Sequence, residues 1–173
     1  MLDVPTTPRT AKRLIVADTS PVNYLVLIGY VEILPQLFEN VFMPAAVRNE
    51  LADEEAPFAV REWITTPPDW LQVRSVLISD DSDVDLQSLD EGEKAAITLA
   101  VFLGADLVLM DERQGVAVAR GKGLAVTGTI GVLDLAAKLG LVDLRDAFDR
   151  LRRTSFRYPM EVMEDLLRQR TEK

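Results

Sequence analysis

The chain of 173 residues contains no histidine and no cysteine. Without cysteine there are no disulfides, thiolate zinc sites, iron–sulfur clusters or thiol nucleophiles. Without histidine there is no imidazole acid–base chemistry, no Ser-His-Asp triad and no His-ligated metal. If the chain is an enzyme, carboxylates and hard cations are the tools left to it. It also lacks a GxxxxGK[ST] sequence, which argues against a P-loop nucleotide site. The apolar stretch from Leu14 to Ile28 is broken by Asp18 and Pro21, too polar for a membrane span. The N-terminal MLDVPTTPRTAKR has no charged-then-apolar signal architecture. A cytoplasmic protein is expected.

What the chain has in quantity is acid. Its 28 Asp and Glu against 19 Lys and Arg leave a net charge of −9. Residues 145–173 hold eight basic and six acidic side chains, so the acidity belongs to the rest of the chain. A field of that sign disfavours nonspecific nucleic-acid binding and suits a cation or a basic partner. With 48% hydrophobic and 27% charged residues, the composition is that of an ordinary globular protein of one domain.

Along the chain, residues 1–11 read as a flexible leader. LIVA, ending at Asp18, reads as a buried parallel strand. Ser20-Pro21 then reads as a helix start, with Ser20 as N-cap and Pro21 at the first helical position. A short helical piece at 31–37 leads to a strand at Val41–Met43, and Pro44 and Pro57 each open a helix. LQVRSVLI is a possible strand, and SDDSDVDLQ an acidic loop. A long helix from Leu89 to Leu103 precedes the strand DLVLM, a helix from about Glu112 to Arg120, a short strand LAV and a helix from Thr129 to Leu139. Residues 143–153 and 160–169 form two amphipathic helices. Strands alternating with helices imply an α/β fold with a parallel sheet, whose functional crevice lies beyond the carboxyl ends of the strands.

Four acids stand out in that frame. Asp18 sits where the first strand stops, and Ser20 leaves it no capping role. Glu50, in PAAVRNEL, shares a helix face with Ala46 and Val47, where a solvated glutamate would serve as well as an inward one. Glu93 lies on the stripe of Leu89, Ala96, Ile97 and Ala100, whereas Ser88 with Glu91 has the spacing of a capping box and Asp90 with Lys94 that of a surface pair. A carboxylate on a buried stripe needs a metal or an ion pair. Asp111 ends the second apolar strand as Asp18 ends the first, although Asp111 with Gln114 also fits a capping box. Asp81, Asp83 and Asp85 resemble the opening of an EF-hand loop, but Leu86 replaces the loop glycine and Gly92 the bidentate glutamate, leaving a solvated loop. Ser20 stands where a haloacid-dehalogenase-type phosphatase would need a second Asp, and Asp18 lacks the paired acid of a receiver domain. Thr127-Gly128-Thr129 offers at most a weak phosphate-binding turn.

VADTSPVNYL, VRNEL, EGEKAAITLA and LVLMDERQGVAVARGKGLAVTGTIGVL, in this order, resemble the PIN-domain nucleases, with the nearest likeness to VapC-type toxins. The likeness covers about residues 13–142. It implies an α/β/α sandwich over 12–142; the apolar faces of the last two helices further suggest that 143–173 is a C-terminal helical extension packed on the domain or on a second subunit. The likeness also implies a Mg²⁺- or Mn²⁺-dependent ribonuclease whose metal-binding and catalytic acids are Asp18, Glu50, Glu93 and Asp111, with Glu112 auxiliary and Thr19 or Ser20 a neighbouring hydroxyl. An RNA substrate, a small antitoxin partner and a homodimer follow from the same likeness, with no membrane. Many such toxins carry a further Asp about a turn after the fourth strand, where this chain has Gly115-Val116. The alternative is a catalytically inactive PIN-like binding module. Arg48, Lys94, Arg113 and Lys122 lie near the acids in sequence and are candidates to hold phosphates.

Overall fold

The structure, a computed structural model, describes residues 13–78 and 83–171. The leader and Asp81 lie outside them. Five strands, β1 (Leu14–Ala17), β2 (Asn40–Pro44), β3 (Leu71–Arg74), β4 (Leu107–Leu109) and β5 (Val126–Thr127), form one all-parallel sheet of order β3-β2-β1-β4-β5. The helices are α1 (Thr19–Leu27), α2 (Ile33–Leu37), α3 (Ala45–Leu51), α4 (Phe58–Thr65), α5 (Val84–Gln87), α6 (Glu91–Leu103), α7 (Arg113–Gly121), α8 (Thr129–Lys138), α9 (Leu144–Arg152) and α10 (Met160–Thr171). This is the parallel sheet covered by helices that the alternation of elements led us to expect, and the α/β/α arrangement that the resemblance to PIN domains implied.

The strands read as unbroken apolar runs because both sheet faces are covered. Ile15, Ala17, Val41, Met43, Leu107 and Leu109 enter one core with residues of α1–α4 and α8–α10. Val16, Phe42, Val108 and Met110 enter the other, beneath α6 and α7. Alternation of side chains along each strand thus feeds two cores from one sequence. The C-terminal helices belong to the first core: Phe148 and Leu151 are fully buried, as are Leu144 and Met163 nearly so. Arg150 donates to the carbonyl of Ile28 at 3.1 Å, and Arg170 to Asp134 at 2.9 Å, tying α9 to α1 and α10 to α8.

Several local expectations are corrected, each at a helix end. Helix α1 begins two residues earlier than Ser20-Pro21 implied, so Asp18 itself occupies the N-cap position, without a side-chain capping bond. The capping box of α6 is not Ser88 with Glu91 but Asp90 with Glu93: the Asp90 carboxylate accepts from the Glu93 N–H at 2.8 Å, and Glu93 accepts from the Asp90 N–H at 3.3 Å. Lys94 pairs with Glu91 at 3.4 Å instead of Asp90. Glu112, not Asp111, caps α7, accepting from the Gln114 N–H. The acidic loop contains the single turn α5, capped by Asp83, whose carboxylate binds Lys122. In each case several cap-forming side chains stood within one turn, and local spacing does not decide among adjacent caps.

Candidate active site

The strand order reverses direction between β1 and β4. A sheet of this kind opens a crevice at such a point, beyond its carboxyl edge. Ala17 is level with Leu109, and Leu109 with Thr127, so Asp18, Asp111 and Thr129 emerge on one edge. The Asp18 N–H continues the ladder, donating to Leu109 at 2.9 Å.

Asp18 is 5% exposed, and its Oδ1 is buried without a hydrogen-bond partner. Burial pushes its carboxyl up to about 7; the Thr19 N–H opposes this, and the charges of Asp90, Glu93 and Glu50 reinforce it. Glu93, 8% exposed, is also pushed up to about 7, by burial first and by Asp90 next, with Glu112 adding to it. The fold thus holds Asp18, Glu50, Glu93 and Asp90 close enough for their charges to repel one another.

Glu50 reaches the crevice from α3. Its carboxylate accepts the Thr19 hydroxyl and, at 3.1 Å, the Gly92 N–H of α6. It comes this close because residue 92 has no side chain: a Cβ there would stand 2.5 Å from Glu50 Oε1. Asp111 enters from the β4 side. It accepts the Thr129 N–H at 2.8 Å and the Thr129 hydroxyl at 2.7 Å, and the Ser20 hydroxyl as well. Burial raises its pKa against these bonds. A Cβ on Gly128 would meet Asp111 Oδ1 at 2.4 Å, so a second glycine makes room for a second carboxylate. Gly115 packs under the cluster, where a Cβ would stand 2.6 Å from Met110 Sδ and 3.6 Å from Glu93 Cδ. Residue 115 thus lies against Glu93 with no side chain of its own.

All five acids singled out from the sequence border this edge, though Glu112 is exposed and occupied as a helix cap. Among the described residues, no three His, Cys, Asp or Glu side chains stand so as to hold a metal ion. Glu50 and Glu93 are turned to backbone N–H groups, and Asp111 to Thr129. Sequence reasoning missed Asp90, Gly92, Gly128 and Thr129. Gly92 carried a signal, as a glycine between two acids in the first turn of a helix, whereas Gly128, flanked by Thr127 and Thr129, meets its acid only in the fold.

A cleft of about 700 Å³ opens beside Asp111, between α7, the end of β5 and the α9–α10 connection. A smaller one, about 340 Å³, lies beside Glu50 and is edged by Asp53 and Glu55. Of the basic candidates, Lys94 and Lys122 are consumed by ion pairs and Arg48 contacts Asn49, whereas Arg113 lines the larger cleft.

A parallel sheet between helical layers, with carboxylates gathered at its switch point, defines a PIN-like α/β/α protein. Over residues 14–172 the sequence matches the model of a family described as PIN domain, and the chain belongs to that family. Its members are typically nucleases, which places the protein among the hydrolases at that level. No curated protein and no solved structure matches the chain. No described helix is long and apolar enough to cross a membrane.

Proposed function

We propose that the protein is a metal-dependent endoribonuclease whose Mg²⁺ or Mn²⁺ is held by Asp18, Glu50, Glu93 and Asp111, with Glu112 as an auxiliary acid. The observation that carries this reading is the buried, partnerless Oδ1 of Asp18, crowded by three other carboxylates. Such an arrangement is costly until a cation or a proton neutralises it. The donors are all carboxylate oxygens, the set that Mg²⁺ and Mn²⁺ take without help from His or Cys. When bound, such an ion supplies an activated water and offsets the charge of an in-line phosphoryl transition state.

The chain's own groups aim the carboxylates. Thr19 and the Gly92 N–H set Glu50, Thr129 and Ser20 set Asp111, and the Asp90 N–H sets Glu93. The likeness to VapC-type toxins extends the proposal to a toxin component acting in the cytoplasm, neutralised by a small antitoxin and paired as a homodimer. A purified sample incubated with mixed RNA and mixed DNA pools, with and without Mn²⁺, tests it. Metal-dependent loss of full-length RNA alone is the expected result.

The second reading, an inactive binding module, draws on Gly115 and on Glu50 and Glu93 being already hydrogen-bonded to backbone N–H groups. It expects both pools to remain intact.

A further inference from the structure

Arg113, Arg120 and Arg157 line the cleft beside Asp111, and none of them forms an ion pair among the described residues. What sets them apart from the other unpaired arginines is that all three line one cleft, where they outnumber its two acids, Asp111 and Glu112. Arg113 and Arg120 project from α7, and Arg157 from the connection between α9 and α10. The connection is held by aromatic contacts on both sides of Arg157. Phe156 packs edge-on against Tyr24 of α1, with centroids 4.9 Å apart, and Tyr158 stacks on Phe156 at 5.9 Å and 10°. Ser155 also hydrogen-bonds the Tyr24 hydroxyl at 3.0 Å. Helix α1 is the one that starts at Asp18, so the arginine is referenced to the crevice through a single rigid element. Tyr158 nevertheless remains 45% exposed.

We infer that this cleft is the track for a single-stranded nucleic acid, with Arg113, Arg120 and Arg157 on successive phosphates and the exposed face of Tyr158 stacked on an unpaired base. Guanidinium groups match phosphate geometry, and a base is free to stack on a tyrosine only when it has left a duplex. The cleft on the Glu50 side has Glu50, Asp53 and Glu55 and no basic residue in its lining, whereas three arginines face Asp111 and Glu112 in the larger one, so the strand is held from the Asp111 side only. The inference rests on the nuclease reading for what happens to the strand, but not for its binding.

Binding is measured by fluorescence anisotropy in EDTA with a labelled single-stranded RNA of about ten nucleotides, a size suited to such grooves. Three phosphate contacts give a slope of log K against log salt of about −2. Arg113→Gln with Arg120→Gln flattens the slope to about −0.7, the single remaining contact. Tyr158→Ala weakens binding about tenfold with little change of slope. Arg157→Lys retains the slope that Arg157→Gln loses, which separates charge from misfolding. Arg145→Gln, on the outer face of α9, leaves binding unchanged. A duplex of the same length binds more weakly.

Wild-type slope and affinity in the triple Arg113→Gln, Arg120→Gln, Arg157→Gln variant would overturn the inference. So would capture of an acidic peptide by a protein that does not bind the RNA. Binding as described without cleavage in Mn²⁺ upholds the inference and removes the nuclease reading. Cleavage by the triple variant at wild-type KM does the reverse.

Discussion

The amide of Gly92, at the start of α6, donates to Glu50 of α3 at 3.1 Å, and the absent side chain of Gly92 is what lets the carboxylate come so close. A methyl group there would stand 2.5 Å from Oε1 and push Glu50 out of the crevice. Gly92→Ala is therefore expected to abolish most RNA cleavage. Its stability should change little, because alanine improves the helix by up to about 1 kcal/mol while Glu50 is displaced into water. Cleavage assays and melting curves on the variant check both halves. Wild-type activity would show that the placement of Glu50 is immaterial.

Asp18 makes stability depend on pH in an unusual sense. Its carboxyl titrates near 3.8 when unfolded and near 7 when folded, so between those values the folded state binds the extra proton. Stability in EDTA should then fall as pH rises from about 4 to about 7, by on the order of 4 kcal/mol from this group. Asp18→Asn removes that component. Denaturant unfolding of both proteins at intervals across this range should show their difference widening with pH. A constant difference would mean that Asp18 is not proton-linked to folding.

Metal should act in place of the proton. A cation that binds only the folded state at a hundredfold excess over Kd adds roughly 2.7 kcal/mol, or roughly 5 to 10 °C in a chain of this size. Wild-type protein is expected to melt higher in Mn²⁺ than in EDTA. Asp18→Asn should melt at or above the metal-free wild type and respond less to the ion. If Asp18 served as a helix cap, the variant would melt lower and neither protein would respond.

The sheet was legible because LIVA, VFM and LVLM are apolar throughout, a pattern expected of a strand covered on both faces. Asp18 and Asp111 were legible for a related reason: each ends such a strand, and the switch point lies there. Glu93 was legible as a carboxylate on a buried stripe, but its bond to Asp90 was not, since Asp90, Glu91 and Glu93 all fit a cap by spacing. Thr129 and Gly128 could not be tied to Asp111 from sequence, because a contact across 18 residues depends on β5 lying beside β4. Glu50 needed the fold as well, being 42 residues from the glycine amide that holds it.

The C-terminal helices are expected to be indispensable to folding. Removing residues 143–173 strips Leu144, Phe148, Leu151 and Met163 from the core that lies on α1 and α8. Four such side chains, at about 2 kcal/mol each, amount to most of the net stability of a typical domain. A truncation after Val142 should be insoluble or unfolded by circular dichroism. A soluble, monodisperse product with unchanged melting would show that the extension is dispensable.

The central claim is that the crowded carboxylates around Asp18 hold the ion that makes this chain a nuclease. The most direct test compares metal-stripped wild type, Asp18→Asn and Asp165→Asn, an exposed acid on α10, on one RNA with Mn²⁺ titrated in. Wild type and Asp165→Asn should cleave with the same dependence on Mn²⁺, and Asp18→Asn should not cleave at any concentration. Equal cleavage by Asp18→Asn, or cleavage by wild type that persists in EDTA, would contradict the account.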